Sequence, residues 1–288
     1  MSIGQLVDIG STALHVVERG SGPSVIALHG GPGLDHQAFA DYLDPLTERY
    51  RLLLVDERGH GRSATSDEST WTLARLAADV GALAHTLGLG RHAVLGHSFG
   101  AFVALQHAVD EPNPDVATIL SSAVPSAAYF AFVDEALDSF EPAALRSRVI
   151  AAMDRQTQVE SPDEVREVMS AQMPFMFADP GDPRIAEYEA RTAGIVGSPA
   201  ALRHFVANDY GDINVEDRLD RVEGPMLVLA GRHDRICSIA ASEAIARGVP
   251  RAEFVILERS GHFGFAEEQE AFLSAVRGFL DAHLGKDT

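Results

Sequence analysis

Gly96-His97-Ser98-Phe99-Gly100 is a G-x-S-x-G pentapeptide. It stands directly after the apolar run Ala93-Val94-Leu95 and before a small-residue helical pattern at Ala101, Val103, Ala104, Leu105 and Ala108. A strand that turns sharply into a helix holds the central residue at a strained corner, with its side chain exposed above the sheet. Glycines flank such a corner because a larger side chain would collide with neighbouring backbone. Ser98 is therefore the candidate nucleophile. A hydroxyl attacks only when a base takes its proton, and the base must be oriented by an acid. In this topology the chain order is Ser, then Asp or Glu, then His. The apolar run 225–230 reads as a buried strand that ends in Gly231-Arg232-His233-Asp234, and 254–257 reads as another that ends in Arg259-Ser260-Gly261-His262. Asp234 is thus the candidate acid and His262 the candidate base, delivered with Ser98 to the carboxyl ends of parallel strands, where open α/β sheets place their sites.

The chain has 12 histidines, so His262 needs rivals excluded. His85, His107 and His283 fall within helical patterns. His97 lies inside the corner and cannot fold back onto Ser98. His233, beside Asp234, is the main rival, and position after the last strand favours His262. For the acid, the strand at 117–121 is followed by no carboxylate until Asp134. Acyl transfer also needs preorganised donors for the oxyanion. The amide of Phe99, next to the nucleophile, is one. The second is expected in the loop after an early strand. Here that strand is 25–28 and the loop His29-Gly30-Gly31-Pro32-Gly33. Gly31 is the expected donor, since Pro32 has no N–H and glycine allows close approach.

The elements that must position these groups follow from the pattern. Alternating runs at 5–9 and 13–18 flank a Gly10-Ser11 turn and read as a hairpin. A helix is expected over 37–49, a strand over 51–55, and a glycine-punctuated loop over Asp56-Glu57-Arg58-Gly59-His60-Gly61-Arg62-Ser63. Residues 71–87 have helical periodicity, with Gly88 as C-cap. After Pro125 the strand pattern stops. Residues 126–214 read as a helical cap inserted after the sixth strand, and the last helix is expected over 267–284. The predicted architecture is α/β: a mostly parallel, doubly wound sheet of about eight strands, its core formed by 1–125 and 215–288.

The net charge of −19 over 288 residues repels phosphate backbones and anionic lipid, so neither nucleic acid nor membrane is an expected partner. A single cysteine, Cys237, excludes an internal disulfide and a cysteine metal cluster. With no H-x-x-x-H set either, no metal and no cofactor are expected. No basic region followed by an apolar stretch opens the chain, and the expected location is the cytoplasm.

These residues together resemble the α/β-hydrolase superfamily, and the likeness spans the chain outside the cap. The His29-Gly30-Gly31-Pro32-Gly33 loop is similar to that of the proline iminopeptidase family, and Asp56 to Ser63 resembles the D-x-R-G-x-G-x-S segment of its relatives. The resemblance implies nucleophile, acid and base roles for Ser98, Asp234 and His262, and a small-molecule or short-peptide substrate. Two positions depart from it: Phe99 stands where those peptidases usually carry tryptophan, and Ala101 where they carry a second glycine. They also hold the substrate's amino group with cap carboxylates, for which Asp134, Glu135, Asp138, Glu141, Asp209, Asp212 and Glu216 are candidates. Gly30, His97, Phe130 and Tyr210 are expected to contact substrate. Aminopeptidase action is favoured. Carboxylesterase or lactonase action, carbon–carbon bond hydrolysis and non-catalytic ligand binding stand as alternatives.

Overall fold

A computed structural model describes residues 4–285; the outermost residues of the expected core, 1–3 and 286–288, lie outside it. Eight strands form one sheet in the order β1-β2-β4-β3-β5-β6-β7-β8. Their ranges are β1 Gln5–Asp8, β2 Ala13–Gly20, β3 Ser24–Leu28, β4 Arg51–Asp56, β5 His92–His97, β6 Val116–Ser121, β7 Met226–Gly231 and β8 Ala252–Leu257. β2 pairs antiparallel with β1 and β4, and every other pairing is parallel. The central strands are buried on both faces, which is why they read as unbroken apolar runs.

Alternation along those strands sorts their side chains into two cores. Ile26, Leu28, Val94, Leu120 and Val228 enter one cluster, while Val25, Ala27, Leu95, Ile119 and Leu227 enter the other. The first face is covered by α1 (Leu73–Thr86) and α2 (Phe99–Asp110) through Leu76, Val80, Phe102 and Val103. The second is covered by the C-terminal helix, Gln269–Leu284, through Phe272, Val276 and Phe279. Each such buried side chain contributes about 1.5–3 kcal/mol of burial free energy.

Three expected helices take a different form. The segment 37–49 is two 3₁₀ turns, His36–Phe39 and Asp44–Glu48, rather than one helix. Ala40, at φ 45°, breaks the run, and Pro45 cannot donate in a helix interior. α1 starts two residues later than the periodicity suggests, because the Thr72 hydroxyl accepts from the Arg75 amide and caps it. Gly88 follows its end with φ 63°. The C-terminal helix starts at Gln269, after a separate turn over Gly264–Glu267. Between them Glu268 leaves helical geometry and binds the Arg259 amide and the Ser260 hydroxyl.

Between β6 and β7 the chain runs through α3 (Ala131–Ser139), α4 (Ala143–Arg155), α5 (Pro162–Met176), α6 (Arg184–Arg191) and α7 (Pro199–Ala207). The two ends of this stretch meet: Ser126 bridges Asn214, and the Val215 amide donates to the Pro125 carbonyl at 2.9 Å. After β7 comes α8 (Ile239–Gly248), which packs on the first core through Ala241 and Ile245.

Candidate active site

Ser98 sits between β5 and α2 with φ 53° and ψ −120°. A non-glycine residue in such a region stores about 1–3 kcal/mol of strain unless its surroundings hold it there. They do so on three sides. The Ser98 amide donates to the Ser121 carbonyl at 2.9 Å, its carbonyl accepts from Ala101 at 2.8 Å, and the Gly100 amide donates to His29 at 3.0 Å. The flanking glycines are required sterically. A Cβ on Gly96 would lie 2.2 Å from the Gly100 carbonyl oxygen, and one on Gly100 would lie 2.4 Å from that of Leu28.

Asp234 follows β7 and His262 follows β8. The His262 Nδ1 lies 2.9 Å from Asp234 Oδ2. A carboxylate only accepts, so Nδ1 carries the hydrogen and Nε2 keeps its lone pair. The other Asp234 oxygen accepts from the amides of Ile236 and Cys237 at 2.8 and 2.9 Å, which fixes the carboxylate. His262 lines the same cavity as Ser98. No hydrogen bond joins Ser98 to His262 among the described residues; such bonds are commonly long before substrate binds. The rival His233 is exposed.

The loop that carries His262 is clasped by a residue with no signal in the sequence pattern. Glu267 Oε1 accepts from the Gly261 and Phe263 amides at 2.9 and 3.2 Å, and Oε2 from the Ala178 amide at 2.8 Å. Burial raises its carboxyl above the usual range, against the pull of those three amides. The His262 amide itself donates to the Met176 carbonyl at 2.7 Å.

Phe99 opens α2, so its amide has no partner inside the helix. Gly31 has φ 136°, a conformation suited to glycine. His29 Nδ1 lies 2.8 Å from the Gly30 carbonyl, and the Glu57 amide lies 3.4 Å from His29 Nε2. Burial lowers the His29 pKa and keeps the ring neutral, with Nδ1–H donating. The Gly30 carbonyl and the Gly31 N–H belong to one peptide plane, so the bond from His29 also sets the direction of the Gly31 donor. Burial holds Glu57 protonated well above its ordinary range, with Asp56 and Asp79 adding to the effect.

Gly31, Pro32, Ser98 and His262 open onto a cavity of about 340 Å³. Its walls are mainly apolar, with Phe102, Met153, Met169, Met176, Leu202 and Ile236 among them. Of the four residues expected to contact substrate, Phe130 and Tyr210 line it. Gly30 lies against the elbow instead, where a Cβ would be 2.9 Å from the His97 ring. His97 is buried behind His262: its ring centre is 5.0 Å from that of His262, and Nδ1 is 3.2 Å from Ser121 Oγ. Burial, and secondarily repulsion from His262 when that ring is protonated, lower its pKa well below that of a free imidazole. Tyr210 reaches the cavity from a left-handed turn, with φ of 48°, 56°, 89° and 51° at Asp209, Tyr210, Gly211 and Asp212. Its ring packs 5.1 Å from Phe130, and burial pushes its hydroxyl up to about 12.

Among the candidate cap carboxylates, Asp134 lines the cavity, and its residue is exposed. Glu135, Asp138, Glu141, Asp209, Asp212 and Glu216 are exposed and do not line it. Gln156 and Gln172 do line it, 3.4 Å apart; on amphipathic helices they carry no signal that separates them from solvated residues. Two groups have ligand atoms close enough for a metal ion: Asp234, Cys237 and His262, and His15, His36 and Asp56. The second is already occupied by its own contacts, with the two Nδ1 atoms 3.1 and 2.5 Å from the Asp56 carboxylate.

Residues 23–269 match the model of the alpha/beta hydrolase fold family. The AB hydrolase superfamily protein YisY of Bacillus subtilis (strain 168) is 29% identical over 286 residues, covering 93% of this chain and 96% of that protein. A proline iminopeptidase of Lactiplantibacillus plantarum is 26% identical over 275 residues, covering 90% and 92%. Among solved structures, an esterase from Exiguobacterium antarcticum superposes with a TM-score of 0.76 at 22% identity, covering 98% of this chain and all 100% of that one. The chain belongs to the alpha/beta hydrolase fold family and is a hydrolase, with proline iminopeptidases among its relatives.

Proposed function

We propose that the protein is a serine hydrolase that cleaves small, uncharged carboxylic esters through an acyl-enzyme. Ser98 Oγ attacks the acyl carbon while His262 Nε2 takes its proton. Asp234 holds the imidazole in the required tautomer and stabilises the cation that forms. The amides of Phe99 and Gly31 receive the oxyanion. His262 then protonates the leaving alcohol, and water enters by the same steps reversed. The observation that carries this reading is the 2.9 Å His262–Asp234 bond at the cavity where Ser98 is presented by its strained corner. We further propose that residues 126–214 act as a cap, since α3, α4, α5 and α7 supply walls of that cavity.

Esters are favoured over aminoacyl amides by the lining. An N-terminal ammonium needs a paired, desolvated carboxylate, and Asp134 is exposed. A specific observation favours the second reading, aminopeptidase action: Asp134 does line the cavity, and the Lactiplantibacillus relative is named a proline iminopeptidase. One panel tests both. Turnover of p-nitrophenyl acetate and butyrate at rates far above that of prolyl p-nitroanilide is expected, with Ser98→Ala inactive on all three. Preference for the arylamide, lost in Asp134→Asn, would reverse the assignment of substrate class.

A further inference from the structure

A second cavity, of about 260 Å³, adjoins the catalytic one. Leu34, Met169, Met173 and Ile195 supply apolar walls, with Arg166 and Glu189 at its polar part. Met169 lines both cavities. On α5, Met169, Met173 and Met176 fall four and three residues apart and so share one face. Met176 belongs to the catalytic cavity, Met173 to the second, and Met169 to each. The partition between the cavities therefore includes a single unbranched, half-buried thioether. Such a side chain has three rotatable bonds and repacks readily.

The polar groups of the second cavity are occupied with neighbours. Arg166 pairs with Asp163, and the Ser170 hydroxyl bonds Glu189. Met169 packs against the apolar cluster of Leu34, Val165, Val168, Ile195 and Leu202, and the polar side chains nearest in the two cavities, Gln172 and Ser170, are bonded to Val168 and Glu189. A charged or strongly polar group passing there would lose its hydration without gaining a partner. A hydrocarbon chain would not. The catalytic cavity alone, at about 340 Å³, lies at the small end of ligand pockets, so a short acyl group fills it and a longer one needs a continuation.

We propose that the second cavity is the distal half of an acyl-chain channel, and that Met169 is the gate that sets the chain length of the ester accepted. The proposal rests on the ester-hydrolase reading above and deepens it: the substrate class becomes esters of unbranched, medium-length acids. Each methylene that passes Met169 and leaves water should raise kcat/KM about fourfold.

The test is a p-nitrophenyl ester series from acetate to dodecanoate on the wild-type protein, Met169→Ala, Met169→Trp and Ser170→Trp, with circular dichroism to verify folding. The readout is the ratio of kcat/KM for decanoate to that for acetate. Met169→Ala should raise the ratio about tenfold, Met169→Trp should lower it at least tenfold, and Ser170→Trp should lower it by filling the far cavity alone. Ratios unchanged in all three folded variants would overturn the channel. Failure of the hydrolase reading shows separately, as a wild-type protein that turns over no ester. The channel is then judged by calorimetric binding of the straight-chain alkanols from butanol to dodecanol to Ser98→Ala. Affinity that keeps rising beyond hexanol, and stops rising in Ser98→Ala/Met169→Trp, supports it. A plateau at hexanol in both overturns it.

Discussion

Among the described residues, Ser98, Asp234 and His262 are each held by hydrogen bonds to backbone or carboxylate, whereas the side chains of Met153, Met169 and Tyr210 face them across the cavity with packing alone to hold them. At the sheet edge, glycines are forced by approaches of 2.2 and 2.4 Å and the amides on both sides of His262 end on one carboxylate. On the helical side, the walls are thioethers, aliphatic side chains, aromatic rings and two glutamines and, among the described residues, Asp134 as the one charged group. The contrast separates two tasks. Under the proposed mechanism the groups at the sheet edge make and break bonds and must be held within a fraction of an ångström, which their over-determined hydrogen-bonded support suits. Groups that receive a substrate's apolar part need volume more than geometry, and adaptable side chains serve that need.

Substitutions on the two sides should therefore differ in kind as well as size. Ser98→Ala should cut kcat on p-nitrophenyl esters by about 10⁶-fold, with a melting temperature close to wild type; retained turnover would remove the covalent route. Asp234→Asn should cost about 10⁴-fold in kcat, and a rate within tenfold of wild type would send the acid role elsewhere. Glu267 sharpens the contrast further, since it touches no reacting atom. Glu267→Ala should lower kcat about 10–100-fold with little change in KM. Glu267→Gln, which retains an acceptor oxygen, should recover most of that loss. Equal losses in both, or a change confined to melting temperature, would make the clasp a matter of stability alone. Across the cavity, Met153→Leu and Tyr210→Phe should shift KM by less than about tenfold and leave kcat near wild type. A collapse of kcat in either would place a bond-making group on the helical side.

The smallest effect concerns stability. Burial holds the folded Glu57 carboxyl above its unfolded pKa, so its proton is released on unfolding once the pH exceeds about 4.3. Native stability from this group is fully present below that value and is lost as pH rises toward the folded pKa, at up to about 1.4 kcal/mol per pH unit. Glu57→Gln removes the titration. Its melting temperature relative to wild type should therefore climb between pH 5 and pH 8, and a pH-independent difference would show that the side chain ionises in place. Buried His60, lowered to about 3 by desolvation, acts oppositely. Its neutral form is stabilised by folding, so stability falls as pH drops below about 6.5.

How far the sequence alone reached follows the same division. The parallel strands were legible because burial on both faces leaves apolar runs, and Gly96 and Gly100 mark the corner between two of them. The meeting of Asp234 and His262 at one sheet edge was legible because each follows such a run. The segment 37–49 was not, since Ala40, at positive φ, and Pro45 divide an apolar periodicity into two short 3₁₀ turns. Gln156 and Gln172 were hidden for a different reason: a polar residue on a helix looks the same whether it meets water or substrate. His97 adjoins Ser98 in sequence yet does not reach the cavity, because it is the last residue of β5 and its ring is buried against His262 and Phe265. The Met169 partition was invisible because a methionine stripe on an amphipathic helix is indistinguishable from ordinary packing until the voids on either side are seen.

The bond from the His262 amide to Met176, and that from Ala178 to Glu267, tie the imidazole's own loop to the last turn of α5. Arg235, next to Asp234, grips the carbonyls of Phe175, Phe177 and Ala178 at the same point. If the proposed cap moves, it cannot lift at that corner without dragging His262 and Asp234 out of register, and traffic into and out of the chamber would run along the edges that are not stitched down.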